Sequence, residues 1–433
     1  MRLLLGALLA ARLVLCGVTS RAQAKPILVI TNTNVVPMSQ RTVLRKQTVL
    51  MEQGRIREIG AAGKVKIPKG ATVVDGAGKY LLPGLIDMHA HLPGAEGTPH
   101  ALALYFRLNL ASGVTGLRSM RGDSSHLRWR DSLRRTNALA PRLYLGTPVF
   151  SRDKSYSSRQ GLALLRRYKA SGYDFVKYLG GLTPAQFDSL LADAHRLGLP
   201  VAGHAPQSGL RGAVAARMSS IEHVEPFIEA CQQDSGQFRQ LARQMAADRI
   251  FTCPDLYWYE VTWLQYPLER LQSLPGLPYV EPRLRAAWLA WWTAKSQQLT
   301  PQGVPTAAYT QLTASLRAYR QAFRIMHEAG VQFLASPGDG NFVVPGFGMA
   351  EELSLLVQHG LSPYEALRAA TVNAATWLGE QEQCGTLAPG KAADLVLLDA
   401  NPLEDIANVR RVSGIVLNGR WVPVAQLLPA PPK

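Results

Sequence analysis

Two histidines one residue apart close the apolar run Leu85-Ile86-Asp87-Met88-His89-Ala90-His91. In an extended strand side chains alternate, so His89 and His91 share a face and both imidazoles can reach one metal ion. Three more groups end strand-like runs farther on: Lys177 after Asp174-Phe175-Val176, His204 after Val201-Ala202-Gly203, and His223 after Ser220-Ile221-Glu222. Alone, a histidine is more often a satisfied core or surface residue, and a lysine at a strand end more often snorkels to solvent. Their recurrence at the ends of successive strands is what makes them a set. Imidazole nitrogens with anionic oxygens suit zinc.

These side chains need a scaffold that gathers strand ends in one place. Eight strand candidates run through the middle of the chain: Leu85 to His89, Thr115 to Ser119, Arg142 to Gly146, Asp174 to Tyr178, Pro200 to His204, Ser220 to His223, Ile250 to Cys253 and Gln332 to Ala335. Helical patterns such as Pro184 to Leu197 separate most of them. Eight alternating units predict an α/β fold, a closed (β/α)8 TIM barrel, with chemistry at the C-terminal ends of its strands. The stretch 257–322 is too long for a plain connection and reads as a helical insertion able to roof the site. Both chain ends are β-patterned, and Asn418-Gly419 between apolar runs is a hairpin turn. The expected organisation is a small discontinuous β-sandwich domain from 25–82 and 385–433 around a barrel over 83–384.

The run from Pro83 to Leu92 (PGLIDMHAHL) resembles the signature of the amidohydrolase superfamily. Gly385 to Val396 (GTLAPGKAADLV) and Ala366 to Ala375 (ALRAATVNAA) extend the resemblance over most of the chain. It is similar to the binuclear branch, with imidazolonepropionase-like and Xaa-Pro dipeptidase-like members. The resemblance implies two divalent metals, zinc by default. His89 and His91 would bind one, His204 and His223 the other, and Lys177 would bridge them as a carbamate made with carbon dioxide. It further implies hydrolysis of an amide or peptide-like C–N bond in a small substrate or dipeptide by metal-bound hydroxide, with an acid after the eighth strand as metal ligand and proton carrier. Aligned from Ala335, that acid position falls on Gly338, and Asp339 lies one residue later. A one-residue slip turns a strand side chain to the other face, although Pro337 and Gly338 can re-aim it. Asp339 is taken as ligand and acid/base; if it does not serve, Ser336 and Glu225 are neighbours to weigh. Two other readings stay open: a one-metal deaminase of the same fold, which needs no bridging Lys177, and a non-catalytic binding member lacking the displaced acid. Tyr178 and Tyr257, with Trp258 and Tyr259, are candidates for substrate contact from the loops after the fourth and seventh strands.

Composition bounds partners and location. The 433 residues carry 47 basic and 31 acidic side chains, a formal charge of +16, with no nucleic-acid motif, so nucleic acid is not an expected partner. Residues 1–24 read as a cleaved signal peptide, with Arg2, an apolar run and Ala22-Gln23-Ala24, and predict export to a periplasm or the exterior. No later segment reads as a membrane span. Cleavage would remove Cys16 and leave Cys231, Cys253 and Cys384 as core residues, with a Cys231–Cys253 disulfide open. A homo-oligomer is compatible with the sequence.

Overall fold

A computed structural model describes residues 27–94, 97–151 and 158–430. The expected signal peptide and Cys16 lie outside them. The first strands are β1 (Leu28–Val35), β2 (Leu44–Glu52), β3 (Arg55–Ala61), β4 (Thr72–Asp75) and β5 (Tyr80–Pro83). The barrel strands follow: β6 (Leu85–Ala90), β7 (Val114–Ser119), β8 (Arg142–Leu145), the short β9 (Phe150–Ser151), β10 (Val176–Gly180), β11 (Val201–Gly203), β12 (Ser220–Glu222) and β13 (Phe251–Cys253). The chain ends on β14 (Leu395–Leu398), β15 (Val412–Leu417) and β16 (Arg420–Pro423).

Both chain ends build one sheet, ordered β16-β15-β14-β5-β1-β2-β3, with β4 beside β1. The seam is β14 antiparallel to β5, Leu395 opposite Pro83 and Leu398 opposite Tyr80. Strand alternation divides the burial. Leu395 and Leu397 join Leu28, Ile30, Val49 and Val416 in the small domain's own core, whereas Val396 and Leu398 belong to the barrel's core. A β-strand buried on both faces in this way welds the small domain to the barrel.

The barrel strands are parallel in two runs, β6-β7-β8 and β9-β10-β11-β12-β13. A bridge from Gly146 to Phe175 joins the runs. The eighth position differs from expectation. Gln332 to Ala335 forms no extended strand; it makes a bridge from Phe333 to Thr252, with Leu334 N donating to Thr252 O and Met88 N to Ala335 O. Those bonds close the ring onto β6. The physical reason for the brevity is sequence: Pro337 has no N–H to donate, and Gly338 and Gly340 follow at φ of 73° and 148°.

Between β13 and this last segment the chain is helical, chiefly Leu256–Thr262, Pro282–Leu299 and Ala307–Ala329. Two helix starts carry a capping box, Thr183 with Gln186 and Ser362 with Glu365. Among the described residues no helix is long and apolar enough to cross a membrane. The Cys231–Cys253 pairing is not formed; Cys231, Cys253 and Cys384 are free thiols, two of them buried.

One glycine shows how tightly the barrel holds the site. Gly203, just before His204, has φ of 147°, and a Cβ there would lie 1.8 Å from Tyr178 O. Gly390, at φ of 88°, has nothing within 4 Å. Gly203→Ala should therefore cost roughly 3 kcal/mol or more, and Gly390→Ala only about 1 kcal/mol for its backbone conformation. Denaturant unfolding of the two variants checks this; equal losses would mean that the close approach at Gly203 is not a constraint.

Candidate metal centre

The base of the site is a buried charge pair. Arg118 on β7 and Glu222 on β12 are both 0% exposed, and Arg118 Nη2 lies 2.9 Å from each Glu222 carboxylate oxygen. Arg118 Nη1 donates to Ser220 Oγ at 3.0 Å and Nε donates to Met88 O. A contact from the second barrel strand to the sixth must pass through the barrel interior. The guanidinium also stacks over Trp377, 4.3 Å from its ring centre. Glu222 spends its remaining capacity on Ser220 Oγ, at 2.5 Å, and on His89 Nδ1, at 2.9 Å. A carboxylate so placed keeps the proton on His89 Nδ1 and leaves the Nε2 lone pair free for a ligand. Burial holds the His89 pKa well below the usual histidine value, helped by the charges of Lys177, His223, His91 and Arg118, so the ring is neutral.

The sequence-predicted histidines do converge. Ring centres are 5.4 Å apart for His89 and His91, 4.9 Å for His89 and His223, and 4.7 Å for His204 and His223. His204 Nε2 and His223 Nε2 face each other at 3.2 Å. Two nitrogen lone pairs at that distance need a shared proton or a cation. Burial, with His223, Lys177 and His91 nearby, lowers His204 to about 3, so its ring is neutral, and the contact is either an N–H···N bond between neutral rings or two lone pairs turned to a cation. Lys177 is buried on β10, and desolvation brings its amine down to about 8.

Backbone strain aims these groups. Glu222 and His223 are consecutive, and simple alternation would send them to opposite faces. His223 adopts φ of 72°, which breaks the alternation and brings both to the site. Asp255, two residues beyond β13, sits at φ of 53° and is equally buried. Its Oδ2 is 3.1 Å from Nδ1 of both His89 and His223.

The donors fit a metal. One ligand atom each from His89, His223 and Asp255 lie within 4.8 Å of one another. His223 Nδ1 and Asp255 Oδ2 are buried without hydrogen bonds, a cost that a cation would relieve. A second grouping, His89, Glu222 and Cys253, satisfies the same distance but fits poorly. Arg118 already neutralises Glu222, and burial pushes the Cys253 thiol well above its usual pKa.

The other expected residues are elsewhere. The Asp339 carboxylate is 58% exposed and approaches His91, Oδ2 to Nδ1 at 3.2 Å, rather than His89. Tyr178 is fully buried and packs on Phe187, with ring centres 4.9 Å apart. Tyr257 is buried and donates to Phe342 O at 3.0 Å. Both tyrosines are buried in packing contacts, Tyr178 against Phe187 and Tyr257 beneath Phe342. Their neighbours Trp258 and Tyr259 instead face His223, at 6.3 and 6.2 Å. Ser336 is buried and hydrogen-bonds Asp87, and Glu225 accepts from Tyr259 Oη. Sequence reasoning missed Arg118, Glu222 and Asp255. Glu222 had a weak signal, as an acid beside a candidate ligand; Arg118 had none.

The buried pair yields a stability test. Arg118→Met leaves Glu222 charged and unpaired and should cost about 3–5 kcal/mol. The double variant Arg118→Met/Glu222→Gln should recover much of that loss. Additive losses in denaturant unfolding would show that the pair is not coupled.

Comparison with known proteins agrees with this geometry. The profile of the Amidohydrolase family matches residues 80–422. An imidazolonepropionase of Geobacillus kaustophilus is 24% identical over 388 residues, 84% of this chain and 86% of that protein. A putative prolidase from Bifidobacterium longum superposes with a TM-score of 0.69 at 24% identity, covering 92% of this chain and 95% of that one. A Xaa-Pro dipeptidase with bound methionine gives the same score at 18% identity over 92% of this chain and 100% of its own. A barrel of this topology, with its histidines gathered at the strand ends and a family match from the first barrel-flanking strand to the last hairpin, places the chain in the amidohydrolase family.

Proposed function

We propose that this chain is a binuclear zinc hydrolase of small amide or dipeptide substrates. It is a metal-dependent amidohydrolase acting on C–N bonds. The observation that carries the reading is the convergence of four imidazoles at the C-terminal mouth of the barrel, with the charge of buried Lys177 bearing on His89 and His204. Zinc rests on ligand type, since neutral imidazole and carboxylate oxygen are ordinary zinc donors. Dipeptides rest on the prolidase and Xaa-Pro dipeptidase among the structural relatives.

His89, His91, His204 and His223 would hold the ions, and Lys177, once carbamylated, would offer an anionic oxygen to each. When bound, the metals supply Lewis acidity and make water acidic enough to ionise near neutral pH. The chain's own residues do the rest. Glu222 keeps His89 in one tautomer. Arg118 holds Glu222 in place in a dry barrel. Asp339 stands at the exposed rim against His91, where it can exchange protons with solvent. Trp258, only partly buried and 6.3 Å from the His223 ring, is the aromatic contact proposed for substrate. A one-metal deaminase leaves Lys177 without a role, and a non-catalytic member that kept the ligand set is separated by turnover. Export is part of the proposal, with residues 1–24 removed, and amino-terminal sequencing of mature protein reads it directly.

Purified protein reconstituted with zinc should hold close to two ions per chain and hydrolyse members of a dipeptide and N-acyl amino acid panel. One ion with full activity would count against the binuclear site; two ions with no turnover on any substrate would favour the binding-protein reading. Lys177→Ala should lose metal and at least about a hundredfold in kcat/KM. A pH dependence accompanies it. Only a neutral amine can become a carbamate, and the Lys177 amine titrates near 8. Its neutral fraction grows as pH rises through that value, so zinc uptake by apo-protein in bicarbonate should accelerate from pH 6.5 to 8.5. Uptake indifferent to bicarbonate would sink the carbamate.

A further inference from the structure

We infer that the carboxylate ligand of this metal centre has moved from the eighth barrel segment to the seventh strand, where Asp255 supplies it. The inference rests on the metal-dependent reading above but names a residue that the family pattern does not. Three independent observations carry it. The first is position. Asp255 is 1% exposed, and its Oδ2 is equidistant, at 3.1 Å, from Nδ1 of His89 and of His223. Asp339 reaches only His91 and is mostly in solvent. A ligand that joins the inner imidazole of the His-x-His pair to the sixth-strand histidine lies at the centre of the cluster rather than on its rim.

The second is an unmet need. Asp255 Oδ2 has only the two imidazole nitrogens at 3.1 Å, neither a well-aligned donor, although its partner Oδ1 accepts from Cys253 Sγ at 3.4 Å. A carboxylate oxygen buried without a well-aligned donor is costly, and a cation would satisfy it together with two neutral imidazoles.

The third is exclusion, and it explains why the eighth segment gave up the role. Gly338, which aligns with the usual acid, runs at φ of 73° against the turn that carries Asp255. A Cβ at 338 would lie 2.7 Å from Trp258 Cβ and 3.3 Å from Asp255 Cβ. The space a strand-eight aspartate would need is already taken by residues following the seventh strand. Glycine at 338 and aspartate at 255 are therefore two sides of one exchange: the eighth segment shrinks to admit the seventh-strand turn, and the carboxylate arrives with that turn. The αL backbone of Asp255, unusual for a non-glycine residue, is the conformation that aims it inward.

Zinc chloride titration of apo-protein tests this without reference to turnover. Asp255→Asn should weaken zinc binding by at least about a hundredfold, and Asp339→Asn by less than about threefold. Binding is read by metal analysis after dialysis and by the zinc-induced rise in melting temperature. Zinc held as tightly by Asp255→Asn as by the parent, or lost on Asp339→Asn, would overturn the assignment while leaving a metalloprotein. A parent that binds no zinc would instead overturn the metal reading and this inference with it. Should Asp255→Asn fold poorly, Asp255→Cys loaded with cobalt gives a second readout. A ligand at 255 would then produce a sulfur-to-cobalt charge-transfer band absent from the cobalt-loaded parent. A folded, cobalt-loaded Asp255→Cys protein without that band would refute contact between residue 255 and the metal.

Discussion

Everything above the barrel floor depends on one buried ion pair. Arg118 and Glu222 are both sealed from water, and neither would be tolerated there alone. Together they form a fixed dipole beneath the histidines. Every Glu222 oxygen has a donor, from Arg118, Ser220 or His89. The acid cannot drift toward a metal, because Arg118 holds it, and His89 cannot rotate freely, because Glu222 holds its Nδ1. A charge pair of this kind adds little net stability over an apolar core, so its retention speaks for orientation of the ligand above it.

The same economy governs the small domain. A barrel strand follows β5 after a single residue, Gly84, and β14 returns from the far end of the chain to pair with β5. The entry and exit of the barrel are thus tied together by Leu395 to Leu398 against Tyr80 to Pro83. Alternate residues of β14 serve two cores. The strand that leads directly into the His-x-His pair is anchored by a sheet that the last residues complete.

The metal centre shows how a local departure from a family pattern can be compensated in space. Loss of an acid at Gly338 removes a side chain from one strand end and opens room for another. Asp255 and His223 both hold positive φ, and both stand where a regular strand could not have put them. Positive φ at these two residues, and not at His89 or His91, marks the part of the site inferred to have been rebuilt.

Much was legible before the fold was known, for reasons of periodicity. Alternation put His89 and His91 on one face, and apolar runs separated by helical stretches announced the barrel and the β-rich ends. Those signals are local, carried by neighbours two to four residues apart. What stayed hidden depended on contacts between distant segments. Arg118 looked like any other arginine of a basic chain until Ser220 and Glu222 met it across the barrel. Tyr178 and Tyr257 looked available until Phe187 and Phe342 covered them. Asp255 lay in an unremarkable Pro254-Asp255 turn until the backbone at Gly338 passed beside it. Sequence alone determined which residue types stood at strand ends; the tertiary structure decided which of them face the same few cubic ångströms, because a side chain's direction at a strand end follows from backbone angles that only packing against other segments can hold.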